Sequence, residues 1–370
     1  MIRANWHQFR HTMKLSSPSK NVFSLALLLI GLQPALPQSS AIETTPPGRR
    51  ALRQFVPGEV WLDTAGNPIN AHGGGMLYKD RTYYWYGENK AGRTWVPEAN
   101  RAWNGDRVDV TGIRCYSSRD LYRWKDEGLV LKADPADPAS DLHPSKVVER
   151  PKVAFNARTR KYVMWMHIDT ADYKSARAGV ALSSSARGPF RYLGSVKPEG
   201  ADSRDQTLFV DDDGKAYRIY SSEWNKATYI SLLSDDWLRH SGRFLKIFRS
   251  QSLEAQAVFK RGGKYYLIAS ECSGWDPNPA HAAIADSIWG PWRELANPCH
   301  GPQANTTFNA QSTFVFQVAG RPDAYIFMAD RWNKSNLPDS RYVWLPLEFS
   351  DDSPKLEWHD TWDLSSGWGR

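Results

Sequence analysis

Four residues with side chains suited to moving protons stand at matching places in the chain: Glu149 in VERPKV, Asp205 in SRDQTLF, Glu254 in SLEAQAVF and Gln311 in AQSTFVF. Each opens an apolar run that is followed by a turn rich in Gly, Asp, Asn or Lys and by a second apolar run. One acid at such a place is explained as the polar end of a strand. Three carboxylates and an amide in register are not, because gathering like charges is costly unless a function requires it. Held in one pocket, such a set does acid–base chemistry. One carboxyl keeps its proton beside a charged neighbour and can donate it, and another group accepts one.

The elements that must position them are hairpins. Gly73–Gly87, Glu149–Met166, Asp205–Ser222, Glu254–Ser270 and Gln311–Asp330 each read as two strands joined by a tight turn. Repeats about 50 to 80 residues apart leave room for two more strands each. Candidates are GIRCYSS with YRWKDEG, GVALSSS with FRYLG, and AAIADS with WREL. Long helical periodicity is absent. The expectation is an all-β fold, a five-bladed β-propeller over residues 57–370, whose innermost strands bring the four polar residues to one mouth of a central channel. The first unit offers NAHGGG there instead. The last hairpin is followed by about 40 residues, expected to close the ring.

Composition narrows the class. The chain holds 17 Trp, 16 Tyr and 14 Phe, enough for both a packed core and the flat stacking surfaces of a sugar cleft. The net charge of +7 includes Arg3, Arg10, Lys14, Lys20, Arg49, Arg50 and Arg53, with no basic block elsewhere, so nucleic acid is not an expected partner. VFSLALLLIGL followed by small residues reads as a secretory signal peptide over 1–38, with Met13 a candidate start. Residues 39–56 read as a disordered lead-in. The mature protein is expected to be secreted, extracellular or periplasmic, off the membrane once the leader is cleaved, and monomeric. No metal or other cofactor is expected. DDDG at Asp211–Gly214 is explained by a hairpin turn, and the histidines and three cysteines show no metal-site spacing.

The stretches DQTLFVDDDGKAY and LEAQAVFKRGGKYYLIAS resemble the third- and fourth-blade motifs of glycoside hydrolase family 43. NPINAHGGGMLYKDRTYYWYGENK and SRYVWLPLEF resemble the branch of that family containing exo-β-1,3-galactanases. The resemblance implies an inverting hydrolase acting on a polysaccharide or oligosaccharide. It places Glu254 as the general acid and Asp205 as the carboxylate that tunes it. Most of the family has a base aspartate in the first blade, where this chain has His72 and Gly73. The galactanase branch is similar in that departure. There the glutamine matching Gln311 holds the water, through a tautomer, a relay or the help of Glu149, an extra acid of the branch. Glu88, Tyr173, Trp224, Asn225, Ser273 and Trp275 fall in or beside loops after inner strands and are expected to hold the sugar, with Trp224 and Trp275 as stacking platforms. The reading is an exo-acting β-1,3-galactanase. Its rivals are an α-L-arabinofuranosidase of a neighbouring branch and a non-catalytic carbohydrate-binding propeller.

Overall fold

The computed structural model describes residues 53–95 and 107–365. The leader and most of the lead-in lie outside the described residues. All five hairpins are present, and each supplies the two inner strands of an antiparallel sheet. Blade 1 is His72–Lys79, Thr82–Glu88, Gly112–Ser118 and Lys125–Lys132. Blade 2 is Val147–Asn156, Lys161–Asp169, Arg177–Ser183 and Arg191–Val196. Blade 3 is Gln206–Val210, Ala216–Ser222, Ala227–Leu233 and His240–Ile247. Blade 4 is Leu253–Arg261, Lys264–Glu271, Ala280–Ala285 and Arg293–Leu295. Blade 5 is Gln311–Gln317, Tyr325–Arg331, Arg341–Ser350 and Ser353–Glu357, extended by the short parallel strand Cys299–His300. Among the described residues there is no α-helix, only three short 3-10 turns.

Local chemistry explains the hairpins. In blades 1 and 4 the two-residue turns Asp80-Arg81 (φ 50° and 58°) and Gly262-Gly263 (φ 57° and 79°) have both residues left-handed. That is the turn whose twist matches paired strands. The strands alternate apolar faces, and each blade buries both of them against its neighbours. Successive apolar clusters follow: blades 1 and 2 through Tyr86, Ile113 and Met164, 2 and 3 through Trp165 and Trp237, 3 and 4 through Ile219 and Leu267. Blades 4 and 5 meet through Phe259 and Phe327, and 5 and 1 through Trp344 and Trp85. Five interfaces for five blades make a closed ring.

The ring is fastened at a point that the sequence reading gave to the lead-in. Phe55 is buried, exchanges two backbone hydrogen bonds with Trp362 (2.7 and 3.1 Å) and stacks on its ring at 4.2 Å. The ordered fold therefore starts ahead of residue 57. An aromatic side chain in a polar segment was the signal.

Candidate active site

The site residues are aimed by β-bulges. In the inner strands of blades 1, 2 and 4 the register shifts directly after His72, Glu149 and Glu254, and the next residues, Gly73, Arg150 and Ala255, have φ of 58°, 53° and 56°. A similar shift follows Ser312 in blade 5. A bulge breaks the in–out alternation and re-aims a side chain. Its effect is clearest in blade 2, where the consecutive residues Glu149 and Arg150 both face the pocket.

That pocket, about 380 Å³, is lined by every candidate drawn from the sequence except Ser273. Ser273 is occupied within its own loop, where its Oγ donates to the Asp276 carbonyl and accepts from Asn278 Nδ2. It braces its own loop and does not line the pocket. Trp224 stands on the rim, 65% exposed, with the Arg204 guanidinium 4.5 Å from its ring centroid.

Glu254 Oε1 accepts from Gln311 Nε2 at 2.9 Å and Oε2 from Asn225 Nδ2 at 3.2 Å. Its carboxyl is pushed up to about 8, first by burial and second by the Asp205 carboxylate, with Arg150 opposing. The sequence reading named only the second cause. Asp205 pairs with Arg150 Nη2 at 2.8 Å and accepts the Ala255 N–H at 3.1 Å. Gln311 is held at both ends. Its Nε2 also donates to Ser270 Oγ at 3.0 Å, and its Oε1 accepts from Arg150 Nη2 at 2.5 Å and Trp332 Nε1 at 2.9 Å.

Glu149 behaves in the opposite way to Glu254. Burial works to raise its pKa, but His167, Lys90 and a Tyr173 hydroxyl donating at 2.9 Å outweigh that and hold it low. Glu88 accepts the Arg150 N–H at 2.9 Å and pairs with Lys90 at 2.5 Å, and burial leaves its pKa raised in spite of Lys90. Glu254 and Glu149 are thus biased in opposite directions within one pocket.

The first blade leaves no room for an aspartate at Gly73. His72 points away from the pocket, bonded through Nδ1 to Asp330 at 3.1 Å and through Nε2 to the Tyr342 hydroxyl at 3.3 Å. A Cβ at Gly73 would lie 2.1 Å from Glu88 Oε1. The carboxylate of the neighbouring strand fills the space a side chain there would need.

Sequence reasoning passed over Arg150, His167, Arg204, Cys272 and Trp332, all of which line the pocket, and Lys90 beside it. Trp332 follows the second strand of its hairpin as Trp224 and Trp275 do, so the same rule would have found it. Its ring meets Trp275 edge-on at 5.0 Å, and the Lys90 ammonium lies 5.1 and 5.2 Å from the two rings. Glu149, His167 and Asp205 bring ligand-type atoms within 4.8 Å of one another. Arg150 on Asp205 and the His167 ring, whose pKa is raised to about 9, already supply positive charge there. The three fit an ion-pair network better than a cation site.

A five-bladed ring that opens on a pocket of oppositely biased carboxyls defines the class, and the comparisons define the family. Residues 67–353 match the model of glycosyl hydrolases family 43, and the chain belongs to that family. It is similar to a family-43 β-1,3-galactosidase solved with galactodeoxynojirimycin, at 40% identity over 84% of this chain and 100% of that one, TM-score 0.76. It is also similar to the exo-β-1,3-galactanase of Phanerochaete chrysosporium, solved with β-1,3-galactotriose, at 37% identity over 85% and 68%, TM-score 0.75. A curated relative, the xylan 1,3-β-xylosidase of a Vibrio species, is 23% identical over 66% of this chain, which spans about half (51%) of that protein's length.

Proposed function

We propose that the chain is an inverting, exo-acting glycoside hydrolase that releases galactose from β-1,3-galactan, the backbone of arabinogalactan. The observation that carries it is one pocket in which burial and Asp205 push the Glu254 carboxyl up while His167, Lys90 and Tyr173 hold Glu149 low. Exo action is supported by the similarity to the exo-β-1,3-galactanase named above. Galactose as the substrate sugar is supported by the two solved relatives named above.

In the reaction the glycosidic C1–O bond breaks and Glu254 gives its proton to the departing oxygen. A water oxygen bonds to C1 from the opposite face and passes its proton to Glu149, and for Gln311 to hold that water its bond to Glu254 must give way to substrate. Inversion requires acid and water-activating groups roughly 6.5–9.5 Å apart, leaving room for that water. Arg150 joins the two halves of the site, since one guanidinium touches both Asp205 and Gln311. The secreted location rests on the leader sequence alone.

Incubation with linear β-1,3-galactan should release galactose stepwise, with the α anomer first in the NMR spectrum. Arabinose from intact arabinogalactan alone would move the chain to arabinofuranosidases. Binding without release from either would make it a lectin.

A further inference from the structure

Behind Glu149 lies a chain of buried groups for which the proposed reaction has no role so far. His167 is 2% exposed and sits between two carboxylates. Its Nε2 is 3.0 Å from Asp169 Oδ2, and its Nδ1 is 3.4 Å from Glu149 Oε2, an ion-pair contact rather than a well-aligned hydrogen bond. Asp169 is fixed as an anion. Its Oδ1 accepts the N–H groups of Thr170, Ser175 and Ala176 at 2.8, 2.8 and 2.9 Å, and its Oδ2 faces Arg204 Nη1 at 3.5 Å. An imidazole with an acceptor at each nitrogen is matched to its surroundings only when both nitrogens carry protons.

We propose that His167 is a positioning residue that holds the Glu149 carboxylate in its proton-accepting form, with Asp169 in turn holding His167 as imidazolium. The inference rests on Glu149 as the proton acceptor of the proposed reaction. The proton from water goes to a Glu149 oxygen while the imidazolium keeps both of its own. Other charged or titratable groups face this chain. Tyr173 donates to Glu149, and its ring lies 6.3 Å from that of His167. Lys90 acts on Glu149 and Glu88, Asp205 approaches from blade 3 with Arg150 paired to it, and Arg204 closes the far end. Of these, His167 is the positive group in direct contact with Glu149, at the wall of the pocket. A raised imidazole pKa, opposed by burial but driven up by Asp169 and Glu149, agrees with the geometry.

The test is the pH profile of kcat and KM on β-1,3-galactotriose for the wild type, His167→Asn and Asp169→Asn, with Glu149→Gln as control. Without the imidazolium, burial acts on Glu149 with less opposition, so the acid limb moves to higher pH. A shift of about one pH unit lowers kcat about tenfold more at low pH than at pH 7. KM and the alkaline limb, set by Glu254, stay in place. A uniform loss at every pH, an effect confined to KM, or an unmoved profile overturns the inference. Should His167→Asn not fold, Asp169→Asn, which keeps the shape and an acceptor for the three N–H groups, decides alone. An inactive Glu149→Gln with unmoved profiles defeats only this inference. A fully active Glu149→Gln defeats the underlying assignment instead.

Discussion

At the scale of single residues, the site is bought with stability. Glu254 folds with its pKa raised from 4.5 to about 8, so the native state holds a proton that the unfolded chain gives up in that window. The contribution is full below pH 4.5 and is lost as pH rises through 8. Glu254→Gln removes that titration, and Asn225, whose Oδ1 has no partner, can turn its amide to receive the new N–H. In calorimetry across pH, the variant should gain melting temperature over the wild type as pH approaches 8, while galactose release falls by at least about a hundredfold. Parallel melting curves would mean the acid is not strained. Gly73→Asp is the complementary test, since it returns an acid to the first blade. With a left-handed φ of 58° and Glu88 Oε1 in the way, it should not raise kcat/KM and should lower the melting temperature. Any gain in rate would show that Glu88 does not stand in for that side chain.

At the scale of elements, the bulges both build the site and conceal it from sequence reading. The hairpins were legible because apolar alternation, aromatic second strands and turns such as GG and DR are local signals. The polar residue opening each one was legible by register. Arg150 was not, because strand alternation puts it on the face opposite Glu149, and only the left-handed backbone at the bulge turns both inward. His167 and Lys90 sit in apolar or charged strand ends, WMHID and GENK, where nothing local distinguishes a buried ion pair from a solvated one. Ser273 was named because it lies in a mouth loop, and loop membership says nothing about which way a hydroxyl turns. The bulge after Glu254 is open to test. Ala255 is buried at φ 56°, and its N–H holds Asp205. A β-branched residue resists that backbone, so Ala255→Val should lower the urea-unfolding free energy by about 2 kcal/mol and cut kcat. Ala255→Gly should stay within about 1 kcal/mol of the wild type. Equal behaviour of the two would remove the bulge from the account.

At the scale of the whole molecule, a propeller is as stable as its closure, because opening one interface exposes two apolar faces at once. Here blade 5 is built from residues after 298, so among the described residues no strand is shared between the two ends of the ring. Side chains close it. Trp61, Trp85 and Trp344 meet at 4.7 to 6.2 Å between blades 1 and 5, and Phe55 caps them, touching Trp61, Tyr122, Trp344 and Trp362. This explains much of the aromatic richness: rings that the composition left divided between core and cleft are, at this seam, core. The seam also reaches the first inner strand, since Tyr342 on it contacts His72 and the Ala71 N–H. Emptying the Phe55 position should cost about 3–5 kcal/mol, and hence about 5–8 °C in melting temperature for a domain of this size. Phe55→Ala should nonetheless keep kcat/KM near the wild-type value at 25 °C, because Glu149, Asp205, Glu254 and Gln311 belong to blades 2 to 5. A melting temperature within about 2 °C of the wild type would show that the backbone pairing with Trp362 is enough to hold the ring shut. Lost activity at an unchanged melting temperature would show instead that the seam shapes the pocket.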